Sequence, residues 1–228
     1  PNLWPLPASF TSGSTLALVD SVAIKANTFF HLSANADVET LRMAVGRYIT
    51  TTFPHALPAS FAPASSPAVL GLVITVDDND ESFPQLGVDE SYTLTVPDAA
   101  GNATLSAKTI YGAMRGLETF SQLVTFDHAS ETFNVAAAPW KIDDAPRFPH
   151  RGLMIDSARH FETLQSIRNI IDSLPYAKLN VLHWHMVDSQ SFPFQSKSHP
   201  KLWDGSYSEF ERYTQDDIAS IVEYARQR

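Results

Sequence analysis

The 228-residue chain has no cysteine, which excludes disulfides and thiolate-held metal sites. That absence leaves the compartment open, because a chain of this length buries a core large enough to fold without covalent staples. Basic residues are scarce and never form a run: 16 Lys and Arg stand against 25 Asp and Glu, a formal net charge of -9 with a pI near 5.2. This balance argues against nucleic acid, since no Lys/Arg stretch is available to displace phosphate counterions. Apolar runs long enough to cross a bilayer, roughly 18 to 20 residues, are also missing, so no membrane span is expected. Pro1-Asn2-Leu3-Trp4-Pro5 lacks the charged and apolar character of a leader, so any signal peptide is expected to have been removed. What is present is a chain 44% hydrophobic with 15 Pro, the composition of one large or two small globular domains.

Residues 1–145 carry the pattern of a small α+β domain. Asp37 stands where an N-cap would open a helix running to about Phe53, with Val38, Leu41, Val45 and Ile49 on one stripe. Pro54 to Pro67 is rich in Pro, Ala and Ser and is expected to be a loop. Val69–Val76 and Tyr92–Val96 have the β-branched and apolar content of buried strands, and Lys108 to Thr125 follows as a helix with Ile110, Met114, Leu117 and Val124 inward. Asn102-Ala103-Thr104 fits the N-glycosylation triplet in a Gly/Asp-rich turn, which suits a secreted or lysosomal protein. Asp80-Glu81 and Asp89-Glu90 invite a glycosidase reading as adjacent carboxylates, yet both sit beside turn residues and are expected to be solvated charge.

Pro139, Pro146 and Pro149 punctuate a charged segment from Ala136 to Pro149, which places the domain boundary between 145 and 146. Beyond it the pattern changes to a short strand Gly152–Asp156, a helix with Leu164, Ile167, Ile171 and Leu174 at helical spacing, and a second strand Leu179–Val187. Such a β-α-β unit requires parallel strands. A long loop leads to Thr214, which with Asp217 resembles a capping box, opening a helix that should turn Ile218, Ile221, Val222 and Ala225 inward. A closed (β/α)₈ barrel needs about 250 residues, so 146–228 supplies two of its eight units and the barrel is expected to be incomplete in this chain.

In a parallel α/β barrel the working groups sit past the C-terminal ends of strands. Arg159, in Asp156-Ser157-Ala158-Arg159-His160, and Asp188, at the end of His183-Trp184-His185-Met186-Val187-Asp188, both satisfy that placement and should face one pocket. The planar fork of Arg159 suits two neighbouring sugar hydroxyls or a carboxylate; it equally suits a salt bridge to Asp156 or Asp188. Asp188 fits an acceptor of sugar hydroxyls or a partner that orients an imidazole, and equally a cap within Asp188-Ser189-Gln190-Ser191. His183 and His185 lie two apart and share a face, as zinc ligands of some hydrolases do, or as hydrogen-bonded barrel histidines. The loop Ser189–Tyr213 holds Phe192, Phe194, Trp203, Tyr207, Phe210 and Tyr213, residues that pack a long loop down as readily as they stack on sugars.

Three segments together carry a resemblance: Arg147-Phe148-Pro149-His150-Arg151-Gly152-Leu153-Met154-Ile155-Asp156-Ser157-Ala158-Arg159-His160, Ala177-Lys178-Leu179-Asn180-Val181-Leu182-His183-Trp184-His185-Met186-Val187-Asp188, and Ser191-Phe192-Pro193. They resemble the opening of the catalytic barrel of family 20 glycoside hydrolases, the β-N-acetylhexosaminidases. Leu3-Trp4-Pro5-Leu6-Pro7, Gly87-Val88-Asp89-Glu90-Ser91-Tyr92 and Tyr111-Gly112-Ala113-Met114-Arg115-Gly116-Leu117-Glu118-Thr119-Phe120-Ser121-Gln122-Leu123 resemble the accessory α+β domain of the eukaryotic members.

The resemblance implies removal of terminal β-linked N-acetylglucosamine or N-acetylgalactosamine from glycans, glycolipids or chitin fragments, by substrate-assisted catalysis with retention and without a cofactor. The substrate's acetamido oxygen attacks the anomeric carbon, a Glu protonates the leaving oxygen and the adjacent Asp orients the acetamide. It implies a lysosomal, vacuolar or secreted protein, and a homodimer of the full-length form. Arg159 matches the family's sugar-binding arginine and Asp188 the aspartate that joins a network to a histidine and the general acid, while His183, Trp184 and His185 match positions without a catalytic role. The network histidine, the Asp-Glu pair and the aromatic wall of the acetamide pocket belong to later strands, so the 228 residues are expected to be inactive alone. Two other readings stay open: a noncatalytic glycan-binding paralogue, and a metal-dependent amide hydrolase using His183 and His185.

Overall fold

A computed structural model describes residues 3–57 and 68–228, so most of the Pro54 to Pro67 segment lies outside the described residues. The chain divides into two compact units, Pro1–Pro149 and His150–Arg228.

The first unit is a mixed seven-stranded sheet with helices on one face. Its elements in chain order are β1 (Ser9–Leu18), α1 (Ser21–Lys25), β2 (Phe30–Leu32), α2 (Glu39–Thr52), β3 (Val69–Asp78), β4 (Tyr92–Val96), β5 (Gly101–Thr109), α3 (Ile110–Leu123), β6 (Val124–Asp127) and β7 (Thr132–Asp144). The strand order is β1-β7-β4-β5-β3-β2, with β6 paired to the first part of β7. β2, β3 and β5 run parallel, and the remaining pairings are antiparallel. Alternation sets the faces: Leu94, Leu105, Ile74 and Ile142 are fully buried beneath the helices, whereas Thr95, Thr104, Ser106 and Lys141 turn to the other side.

Helix α3 lies flat on the sheet, with eleven of its residues buried, among them Arg115, Glu118 and Thr119. These polar groups survive burial because each is matched. Arg115 Nε donates to Glu90 Oε1 at 2.8 Å, the Tyr48 hydroxyl of α2 donates to Glu118 Oε2 at 2.9 Å, and Thr119 shares a 2.6 Å hydrogen bond with the hydroxyl of Tyr92. Burial beside Glu118 pushes the Tyr48 phenol well above its usual range. Close approach is bought by glycine: a Cβ on Gly112 would stand 2.4 Å from the Ser91 carbonyl oxygen.

Several sequence expectations are corrected here. Asp37 does not cap α2, whose N-cap is Val38 without a side-chain bond; Asp37 pairs with Arg42 instead, and Glu81 accepts the Thr40 N–H at 2.6 Å from across the fold. Glu90 is buried and ion-paired, so only part of the two acidic pairs is solvated charge. Asp80 and Asp89 close local turns with Ser82 and Ser91, whose hydrogen bonds hold both carboxyls below the usual range. The buried stripe of α2 is Thr40, Leu41, Ala44, Tyr48 and Thr52. Helix α3 ends at Leu123, and Val124 begins β6. Asn102 occupies the second position of β5, not a turn. Ala136–Asp144 belongs to β7, because the Pro-punctuated segment carries Ala138, Trp140 and Ile142 on the buried face of the sheet.

The second unit contains β8 (Gly152–Asp156), α4 (Leu164–Ser173), a 3₁₀ turn at Leu174–Ala177, β9 (Val181–His185), another 3₁₀ turn at Pro200–Gly205 and α5 (Gln215–Arg226). β8 and β9 are parallel and in register, with Asp156 opposite His185. Thr163 caps α4, and Thr214 with Asp217 forms a full capping box on α5. Ile155, Ile167, Ile171, Tyr213 and Ile221 form the core, with Trp184, Leu182 and Ile218 packed against it. Val222 and Ala225 are exposed, and Tyr224 takes the inward role from α5.

Candidate functional site

Alternation along β8 and β9 assigns their side chains. Ile155 and Trp184 face the helices, where the Trp184 ring meets Tyr213 edge-on at 4.9 Å and its Nε1 donates to Ser157 Oγ at 2.8 Å. Met154 and Asp156 share the other side with His183 and His185.

The chain turns immediately after β8. Asp156 Oδ1 accepts the backbone N–H groups of Ala158 and Arg159, both at 3.1 Å, and this turn brings the Arg159 side chain back over its own carboxylate. Arg159 Nε and Nη2 both reach Asp156 Oδ2, and Nη1 lies 3.2 Å from Asp188 Oδ2. Asp188 stands three residues beyond the end of β9, held by its N–H donating to the Ser191 carbonyl at 3.0 Å. Its Oδ2 also meets His185 Nε2 at 3.0 Å, and its Oδ1 accepts from the Ser189 N–H and, at 3.1 Å, the Ser189 hydroxyl. The Asp188 carboxylate thus caps a turn while contacting an imidazole and a guanidinium.

The electrostatics follow from these contacts. Hydrogen bonding from the Arg159 side chain and backbone lowers Asp156 to about 2. His185, then Ser189, holds Asp188 below the usual carboxylate range. The paired carboxylates raise Arg159 in turn, with Asp156 the larger cause. Arg159 is nonetheless 46% exposed, despite its two carboxylate partners.

The structure therefore brings Arg159 and Asp188 together and adds Asp156 and His185 to them. Asp156 was legible in the sequence only as one of two salt-bridge partners. His185 was legible as a strand residue; the signal that separates it from His183 is register, since His185 sits at the strand end opposite Asp156 and His183 sits deeper, opposite Met154. Among the described residues no three His, Asp or Glu side chains are grouped to hold a metal ion. In the loop after β9, Tyr213 is fully buried against Phe161, and Trp203 donates to the Pro193 carbonyl at 3.0 Å under the Arg212 guanidinium. Tyr207 and Phe210 are the exposed aromatics of that loop. No helix among the described residues is long and apolar enough to cross a membrane.

Comparison with known proteins gives the same reading over nearly the whole chain. Residues 148–228 match the family described as glycosyl hydrolase family 20, catalytic domain, and residues 3–123 match the family described as beta-acetyl hexosaminidase like. The chain is 43% identical to beta-hexosaminidase 1 of Arabidopsis thaliana over 240 residues, covering 100% of this chain and 43% of that protein. It is 40% identical to beta-hexosaminidase subunit beta of Mus musculus, covering 100% of this chain and 42% of the relative. Among solved structures, Flavobacterium johnsoniae chitobiase superposes with a TM-score of 0.77 at 30% identity over 99% of this chain and 33% of that one. The chain thus spans less than half the length of these relatives. With its two halves matched in order by the family's two domain descriptions, the chain belongs to glycosyl hydrolase family 20, in its eukaryotic-type β-hexosaminidase branch.

Proposed function

We propose that the chain is part of a β-N-acetylhexosaminidase that removes terminal β-linked N-acetylglucosamine or N-acetylgalactosamine from glycoconjugates by substrate-assisted, retaining hydrolysis, without a metal or organic cofactor. Residues 146–228 open its (β/α)₈ barrel, and residues 1–145 form its accessory domain. The observation that carries this reading is the convergence of Asp156 and His185, the last residues of β8 and β9, with Arg159 and Asp188 just beyond them, at the strand ends where a parallel barrel builds its site. In this reading Arg159 binds hydroxyls of the terminal sugar, and Asp188 links the sugar pocket to the general acid through an imidazole. The general acid Glu and its Asp partner lie on later strands. A missing general acid alone costs about 10² to 10⁴ in rate, so the 228 residues alone are silent.

The enzyme works in the lysosome, vacuole or outside the cell and assembles as a homodimer. Asn102, exposed on the helix-free face of the sheet, carries an N-linked glycan. Removal of N-glycans should shift the mass of the secreted wild type and leave Asn102→Gln unchanged.

The decisive assay is fluorophore release from an aryl β-N-acetylglucosaminide. Turnover is expected from the complete protein and none from the 228-residue chain. Turnover that scales with the concentration of the purified chain would overturn its inactivity. Sugar binding without turnover in the complete protein would instead establish a glycan-binding paralogue. A metal-dependent amide hydrolase predicts stoichiometric zinc, but His185 is committed to Asp188 and no third donor joins it and His183 among the described residues.

A further inference from the structure

The three contacts of Arg159 are not equivalent. A guanidinium carries five N–H groups in one plane. Asp156 Oδ2 accepts the Nε–H and is ion-paired with Nη2 on the same edge, whereas Asp188 Oδ2 meets Nη1 only as an ion pair at 3.2 Å. Among the described residues neither Nη1 nor Nη2 has a further partner beyond these two carboxylates, so the outer edge of the fork between them keeps donors for a ligand. Two parallel donors there match two neighbouring oxygens, such as a vicinal pair of sugar hydroxyls.

The two carboxylates differ in what else they hold. Asp188 Oδ2 is divided between Arg159 and His185, and its Oδ1 serves Ser189. Asp156 Oδ2 serves Arg159 alone among the described residues, while its Oδ1 is pinned by the backbone N–H groups of Ala158 and Arg159. The grip of Asp156 is therefore tied to the backbone at the end of β8, and through it the fork is tied to the strand. A 46% exposed arginine without that grip would sample many rotamers, and ligand binding would have to order it.

We propose that Asp156 is a positioning residue: it clamps the inner edge of Arg159 so that the outer edge faces the terminal sugar. This rests on the reading of Arg159 as the sugar-binding arginine. Asp156 remains ionised across the neutral and mildly acidic range, since Arg159 holds it at about 2, so the clamp does not switch with pH there.

The test uses the full-length protein with an aryl β-N-acetylglucosaminide, comparing Asp156→Asn, Arg159→Ala and the double variant. Asp156→Asn should raise KM about tenfold, the scale of one well-placed charge-assisted hydrogen bond, with kcat held within about twofold, the pattern of lost uniform binding. The double variant should be no worse than Arg159→Ala, because the clamp has nothing to hold once the arginine is gone. If Arg159→Ala raises KM while Asp156→Asn does not, the clamp is refuted and the reading of Arg159 stands. Effects that multiply in the double variant also refute it, since they would mean that Asp156 braces the fold independently. If Arg159→Ala leaves KM unchanged, it is the reading of Arg159 that falls. Should Asp156→Asn fail to fold, Asp156→Glu keeps the charge on a longer stem and should give a KM between the two; an unchanged KM would refute the clamp.

Discussion

Two glycines at helical positions should respond oppositely to the same substitution. Gly46 lies in the middle of α2, exposed, with nothing within 4 Å of where a Cβ would be. Gly46→Ala therefore gains helix propensity and stabilises by up to about 1 kcal/mol. Gly112, in the first turn of α3, would place its Cβ 2.4 Å from the Ser91 carbonyl oxygen and 3.2 Å from both Ala107 Cβ and the Glu90 carbonyl carbon. Contacts under 3.0 Å essentially never occur, so helix and chain must separate by at least about 0.6 Å. That separation is resisted on both sides: Arg115 holds Glu90 at 2.8 Å, and the Thr109 hydroxyl holds the Asp89 carbonyl at 2.6 Å. Overpacking of this kind costs about 1 to 3 kcal/mol, and the upper end applies because the obstacle is backbone. After the gain in propensity, Gly112→Ala should be destabilised by about 2 kcal/mol, a fall in Tm of roughly 4 to 8 °C for a unit of this size. Parallel thermal melts by far-UV circular dichroism would measure both variants. A Gly112→Ala that matches Gly46→Ala in sign would refute the packing argument.

Tyr48→Phe should cost about 1 to 3 kcal/mol in urea unfolding, because Glu118 Oε2 loses a buried donor at 2.9 Å. Thr214→Ala removes the capping box of α5 and should cost about 1 kcal/mol, visible as faster amide exchange in the first turn of that helix. Asp156 has a folded pKa of about 2, below its unfolded value, so its contribution to stability is complete above about pH 4 and lost as pH falls toward 2. The stability profiles of wild type and Asp156→Asn should therefore run parallel above that window and converge within it. A divergence that begins near neutral pH would contradict the assignment.

The order of elements in the second unit was legible because each rests on a local rule. Gly152–Asp156, the helix from Leu164 and the capping box at Thr214 are set by apolar period and by side chains within three residues of one another. The first unit was legible only in part. β1 opens with Ser, Thr and Gly around a single Phe, and β5 alternates Ala and Leu with Asn, Thr, Ser and Lys, too little apolar signal to stand out, while β7 carries Pro139 in a segment that reads as a linker. These strands are held by partners far along the chain, as when β1 pairs with β7 from Ser9 opposite Asp143 to Leu18 opposite Asn134.

For the candidate site, the sequence alone put Arg159 and Asp188 past the strand ends, although the second strand, expected over Leu179–Val187, spans only Val181–His185. It also determined the family, through motifs in fixed order. Only the tertiary structure decided which alternative each residue fulfils. Asp156 and His185 lie opposite each other because β8 and β9 pair in register, although the two residues are 29 positions apart in the sequence. Glu90, which reads as solvated charge, is buried against Arg115 because α3 lies flat on the sheet. Local periodicity records which face of an element is apolar; it does not record which distant polar group will meet another, since that depends on strand register and on helix packing, which are properties of the folded whole.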